Sequence, residues 1–173
     1  MTNLSRLKNK IIAKAITRFP SFSKRFTEAY KVYETHGEIP WAPLERELRD
    51  CKLALVSTCG VHHIDQEPFD MNDPNGDPSF RAIDLTKPLR DLMITHDYYD
   101  HSDADKDINI VFPVERLKEF ETEGLIGKLA NTHFGFMGHI AGAYITTLIN
   151  KSAPAVANRL KADDVDVVLL TPA

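Results

Sequence analysis

The stretch Lys52-Leu-Ala-Leu-Val-Ser-Thr58 decides the fold: a short, nearly continuous apolar run that follows the polar segment Glu45 to Asp50 and ends in Cys59-Gly60. Continuous apolarity over this length suits a strand covered on both faces, whereas alternation would mark a half-exposed one. A second such run, Val165-Asp-Val-Val-Leu-Leu-Thr171, follows a helical stretch Ala153 to Leu160 and a turn Lys161 to Asp164, and predicts a second buried strand. Between the two, Thr86-Lys87-Pro88 opens a short helix to about Leu92, and Leu92 to His96 is helix end or a brief strand. Pro113 heads a further helix, with Val114, Leu117 and Phe120 on one face before Gly124 stops it. Helices alternating with short apolar strands argue for a layered α/β domain: a mostly parallel, Rossmann-like sheet with flanking helices.

Upstream, Leu4, Leu7, Ile11, Ile12, Ala15 and Ile16 recur at helical spacing with basic residues between them, until Phe19-Pro20 ends the pattern. A second helical stretch runs from Ser23 to Thr35, and Pro40-Trp-Ala-Pro43 reads as an extended linker in which Trp41 is a packing anchor. The chain thus divides into a basic, amphipathic helical arm, 1–37, and an α/β domain, 38–173. Charge follows the division: residues 1–35 hold eight Lys/Arg against Glu28 and Glu34, a net of +6, while the rest holds 13 against 23, a net of −10. The arm reads as a solvated or partner-docking helix, and the acidic body argues against a dedicated nucleic-acid binder. No apolar run approaches the roughly 18 residues of a membrane span, and no secretory signal is visible, so the expected location is cytoplasmic. The only cysteines, Cys51 and Cys59, exclude a disulfide framework and form no CxxC pair.

In an open parallel sheet, ligands sit beyond the carboxyl ends of the strands. The first run leads there into Ser57-Thr-Cys-Gly-Val-His-His63, with a thiol, two hydroxyls, two imidazoles and a glycine that lets backbone approach a ligand. Cys59 beside His62 or His63 is a candidate nucleophile if something lowers its pKa, and otherwise a small hydrophobe. From Asp65 to Asp107 lies a long acidic stretch whose aromatics Phe69, Phe80, Tyr98 and Tyr99 argue for order. Within it, Arg81 either holds a substrate carboxylate or ties down the acidic loop. His96-Asp97-Tyr-Tyr-Asp-His101, with Asp103 and Asp105, could hold a divalent cation, but HxxxxH is wider than a paired-imidazole motif. Ordering the loop, or proton transfer in a pocket, is the more economical role for His96 and Asp97. Asn131 to His139 matches no phosphate-binding loop, and nucleotide binding is not expected.

Several segments stand in a recognisable order: Pro40-Trp-Ala-Pro-Leu44, Leu53 to His62, Phe69-Asp70, Gly76-Asp-Pro-Ser-Phe-Arg81, Thr95-His-Asp97, Tyr99-Asp100, Val111-Phe-Pro113, His133-Phe-Gly-Phe-Met-Gly-His139 and Leu169-Leu-Thr-Pro172. From about Glu38 onward the chain resembles the glycine/sarcosine/betaine/D-proline reductase selenoprotein B family. In that family the strand ending in Thr-Pro leads within a residue or two into a UxxC or CxxC motif. The resemblance therefore implies a selenocysteine or cysteine just beyond Ala173, in a chain truncated at a UGA codon. It implies reductive cleavage of a C–N bond in an amino acid or N-methylated relative, with a selenolate attacking the α-carbon. A pyruvoyl group on a partner subunit would hold the amine, and a dithiol donor would release the product. No cofactor is expected within this chain itself.

On this reading Ser57, Thr58, His62, His96, Asp97, His133 and His139 line the crevice at the strand ends. His62 or His96 transfers a proton, Asp97 orients it, Arg81 holds a carboxylate, and Cys59 remains a candidate thiol without a family role. The expected partners are a small amino-acid substrate, a reductase subunit, a dithiol donor and, through an exposed apolar edge at Val165 to Leu170, a second copy. Two alternatives stay open: a non-catalytic binding or assembly subunit, and a metal-dependent hydrolase built on residues 96–105.

Overall fold

In the computed structural model, which describes residues 3–19 and 42–172, the elements in chain order are α1 (Asn3–Arg18), β1 (Lys52–Ser57), β2 (Val61–His63), β3 (Phe80–Asp84), β4 (Leu92–Ile94), α2 (Val114–Thr122), β5 (Lys128–Leu129), β6 (Thr132–Phe136), α3 (Ala143–Thr147), α4 (Ala153–Ala162) and β7 (Val167–Thr171). The decisive run forms β1, the strand with most neighbours. Along one side it pairs in parallel with β7, from Leu53 opposite Val167 to Ser57 opposite Thr171. Along the other it pairs in parallel first with β5 and then with β6. β3 closes that side antiparallel to β6, and β2 and β4 form a separate antiparallel pair. The sheet is thus mostly parallel with one antiparallel edge.

Successive side chains of a strand point to opposite faces, and β1 uses both. Leu53 and Leu55 enter a cluster with Val111, Phe112, Val114, Leu117 and Ile126, which seats α2 on one face. Ala54 and Val56 enter another with Phe134, Phe136, Val156 and Leu160, which seats α4 on the opposite face. Burying a side chain such as Leu55 contributes about 2 kcal/mol, so these two clusters hold the layers together.

Between β5 and β6 the pairing with β1 is interrupted, and His133 repairs it. The Leu55 N–H donates to His133 Nδ1 at 2.7 Å, and His133 Nε2 donates to the Ala130 carbonyl at 2.9 Å. The ring is fully buried and meets Phe112 edge-on. A buried backbone N–H left without a partner is costly, which is why an imidazole stands among apolar neighbours here.

Several expectations need correction. The second apolar run is a strand from Val167 that among the described residues lies at an edge: Val168, Leu169 and Leu170 are exposed, which agrees with the apolar edge expected at Val165 to Leu170 and not with a buried strand. The helix expected from Ala153 is preceded by α3 and a π-helical turn, Leu148–Ser152. Pro154 lacks the N–H that would close the ordinary turn, and a wider turn accommodates it. The helix expected from Thr86 is a single 3-10 turn, Leu89–Asp91, that leads directly into β4. On α2, Val114 and Leu117 are buried but Phe120 is exposed. The helix expected at Ser23 to Thr35, and Pro40 and Trp41 of the linker, lie outside the described residues; Ala42 and Pro43 of the linker are irregular and exposed. Of the 1–37 arm, α1 is described. Among the described residues no helix is long and apolar enough to cross a membrane.

Candidate functional site

The carboxyl ends of β1, β6 and β7 gather at one end of the sheet, because the three strands run in parallel. There the Thr58 N–H donates to the Thr171 carbonyl at 3.0 Å, which carries the β1–β7 pairing one residue past β1. Gly138, just beyond β6, adopts φ +89°, and a Cβ on it would lie 2.4 Å from the Thr58 carbonyl oxygen. That contact requires glycine: the two chain ends touch backbone to backbone. Gly60 does the same on the other side, where a Cβ would lie 2.4 Å from the Thr95 carbonyl, and its N–H donates to Phe136 O at 2.8 Å.

These close approaches draw three loops into one patch. The Tyr99 hydroxyl donates to the Cys59 carbonyl at 3.0 Å, the His96 ring lies 4.7 Å from the Tyr99 ring, and Tyr98 stacks on His139 at 3.9 Å. The Nε2 of His139 donates to Pro74 O, which fastens the acidic loop to the same place. Of the expected site residues, Thr58 thus meets Gly138 through its backbone, and His96 and His139 meet the Tyr98-Tyr99 pair. Tyr98, Tyr99, Gly60 and Gly138 complete the patch. The glycine spacing at Gly135 to Gly138 and the Tyr98-Tyr99 pair were visible in the sequence, but nothing in their spacing said that they meet.

Other expected residues are occupied elsewhere. His62 is fully buried: its Nδ1 donates to His63 O and its Nε2 accepts from Thr95 Oγ1, each at 2.8 Å. Burial lowers its pKa and keeps it neutral. His133 belongs to the core between the strands and not to the crevice, and burial holds it down to about 4. Burial, together with the charges of His139 and His101, holds His96 down to about 4 as well. Its Nδ1 accepts from the Tyr98 N–H at 3.1 Å. Ser57 is buried, donating to Val111 O and accepting from the Cys59 N–H.

Arg81 performs the tying role that was left open for it. Its guanidinium donates to Glu67 O, Pro68 O, Phe80 O and Ser79 Oγ, and it lies 4.4 Å over the Phe69 ring. Asp97 is paired with α1: Arg6 Nε donates to it at 2.6 Å, and Lys10 Nζ lies 3.5 Å away. Burial alone would raise this carboxyl, but the hydrogen bond and charge of Arg6 hold it below the usual range. Cys59 is fully buried, its thiol 3.8 Å from Thr171 O, and burial pushes its pKa up, as it does for Cys51. A thiol so placed is protonated and poorly nucleophilic. His101 Nδ1 faces Asp105 at 2.9 Å, and among the described residues no group of three His, Cys, Asp or Glu side chains converges as metal ligands would.

Comparison with known proteins adds what geometry cannot. Residues 21–173 match the family described as glycine/sarcosine/betaine reductase selenoprotein B. The D-proline reductase subunit gamma of Acetoanaerobium sticklandii is 38% identical over 131 residues, covering 76% of this chain and 52% of that protein. The glycine reductase complex component B subunit gamma of Carboxydothermus hydrogenoformans is 31% identical over 137 residues, 77% of this chain and 30% of that one. The sarcosine reductase complex component B subunit beta of Peptoclostridium acidaminophilum is 27% identical over 97 residues, 54% of this chain and 22% of the relative. The chain thus spans about half the length of the first of these relatives and less than a third of the second. No solved structure matches it. A match over residues 21–173, most of the chain, means that the chain belongs to the glycine/sarcosine/betaine reductase selenoprotein B family.

Proposed function

We propose that this chain is part of a cytoplasmic, selenol- or thiol-dependent reductase component that cleaves a C–N bond of an amino acid or N-methylated amino acid. The observation that carries the reading is the convergence at the strand ends: Thr58, Gly138 and Thr171 in backbone contact, with His96, Tyr98 and His139 beside them. A chalcogen following Thr171-Pro172 would supply the nucleophile that displaces the amine, and a dithiol donor would supply the two electrons.

The chain's own contribution is placement. The β1–β7 pairing holds residue 171 beside Thr58, and the stacked Tyr98 and His139 wall one side. Of the groups expected to transfer a proton, His62 and His96 are kept neutral by burial, and so is His133, which was expected to bind substrate. His139 stands half-buried at the rim, with its Nε2 engaged by Pro74 O. The redox couple lies outside this chain's own thiols, because Cys51 and Cys59 are both buried.

The occupied state of His62, Asp97 and Arg81 favours, as a second reading, an assembly or substrate-framing role for this part of the component. Both readings are tested by the nucleotides after codon 173. UGA followed in frame by coding sequence with a cysteine three codons on, and selenium in the purified longer product, supports the reductase reading. An ordinary stop codon with no frame beyond it overturns it in favour of the second.

A further inference from the structure

Asp97 is a buried carboxylate whose counter-charge comes from a distant part of the chain. It is 1% exposed, and a carboxylate taken out of water demands a cation against it. Arg6 Nε donates to Oδ2 at 2.6 Å, Arg6 Nη2 donates to Oδ1 at 3.3 Å, and Lys10 Nζ stands 3.5 Å from Oδ1. Both cations belong to α1, and their side chains are 37% and 51% exposed, so they reach Asp97 from the solvent side. The charge of Asp70 acts on the same Arg6 guanidinium, which adds to the negative potential at this spot. Little else seats α1: Leu4, Leu7 and Ile11 face outward and are exposed, and among its described side chains only Ala13 is buried. A helix is normally held by its apolar stripe, whereas here two cations clamp one carboxylate. The clamp adjoins the strand ends. Two residues before Asp97, the Thr95 N–H donates to Gly60 O at 2.9 Å, and between them His96 places its ring 4.7 Å from that of Tyr99.

We propose that Asp97 is the receptor for the ammonium group of a small amine, and that α1 is a strap whose Arg6 guanidinium stands where that ammonium binds. The α/β body thus carries a cation site, and α1 fills it from within the same chain. An ammonium offers what Arg6 Nε offers, a positively charged N–H aimed at a carboxylate oxygen, and it enters as α1 lifts away. Tethering keeps Arg6 at a high effective concentration beside Asp97, so the strap sets a threshold that the free amine must exceed. That this amine is the substrate of the component rests on the reductase reading above; that Asp97 binds a cation does not.

The test is an NMR titration of the whole isotope-labelled chain with methylammonium chloride, against sodium chloride at equal ionic strength. Arg6→Gln/Lys10→Gln, which removes the competitor, is expected to show saturable shifts at residues 95–98 and to bind the probe at least tenfold more tightly than wild type. Arg6→Gln alone leaves Lys10 to neutralise Asp97; it is expected to move the same way by a smaller factor, and it decides the matter where the double variant is unfolded. Asp97→Asn is expected to show only the shifts that sodium chloride gives. Equal affinity in wild type and the Arg6 variants overturns the strap. Shifts in those variants no larger than with sodium chloride overturn the receptor, as does binding retained by Asp97→Asn. Sarcosine is the second probe: displacement of methylammonium by sarcosine supports a substrate amine as the ligand, and methylammonium binding that sarcosine leaves untouched overturns that source. None of these results depends on the codon after 173, so the receptor and the reductase reading fail separately.

Discussion

Two buried imidazoles should make this protein acid-sensitive well above the range in which carboxylates titrate. His133 and His96 are each held at about 4, against an ordinary value of 6.5. Each is therefore neutral when folded and readily protonated when unfolded, so the unfolded state binds more protons between these values. The stability that depends on their neutral form is complete above pH 6.5 and is lost as the pH falls toward 4. Between pH 7.5 and pH 5.0 the linkage amounts to about 2 kcal/mol for each histidine, or about 4 kcal/mol together. Urea unfolding at the two pH values, followed by far-UV circular dichroism, measures it directly. His133→Asn places an acceptor near Leu55 N–H but removes the donor to the Ala130 carbonyl. It should cost about 1–3 kcal/mol at pH 7.5. It should also remove roughly half of the pH-dependent loss, because the residue no longer titrates. An unchanged pH dependence in His133→Asn would refute the argument, as would a wild-type protein equally stable at both pH values.

Gly138→Ala forces a Cβ to within 2.4 Å of the Thr58 carbonyl at a φ of +89°, and should lower stability by about 2–3 kcal/mol, read as a fall in melting temperature. Arg81→Ala removes hydrogen bonds to four partners in and beside the acidic loop and should speed proteolysis after Phe69 and Phe80; limited chymotrypsin digestion no faster than that of wild type would contradict its tying role. Iodoacetamide at pH 8 should leave Cys51 and Cys59 unmodified in the folded protein and alkylate both in urea, as mass spectrometry would report. Asp97→Asn removes the charge that Arg6 and Lys10 face, and should loosen α1, seen as faster hydrogen exchange over residues 3–18 with β1 exchange unchanged.

Much of the architecture is legible in the chain because it is written in short-range pattern. The apolar run at Lys52 to Thr58 announces a strand covered on both faces, Pro113 and Gly124 bracket α2, and the helical spacing from Leu4 to Ile16 announces α1. Pattern also marked the strand-end segments around Thr58 and His139, since a parallel sheet presents its loops on one side. It could not say which way an element faces. The run Val165 to Thr171 reads like Lys52 to Thr58, yet β7 lies at an edge and leaves its leucines exposed, because burial depends on what packs against a strand and not on its own composition.

The identity of side-chain partners was decided by tertiary structure alone. Asp97 meets Arg6 across 91 residues of sequence, and that contact turns α1's apolar stripe outward. His133 looked like a crevice residue until the gap between β5 and β6 gave its ring two backbone groups to satisfy. Arg81, equally suited by its chemistry to a substrate carboxylate, found its partners within the loop it closes. In each case the chain specifies a donor or acceptor locally. Its partner is chosen by which buried polar group would otherwise go unpaired, and that is a property of the packed layers.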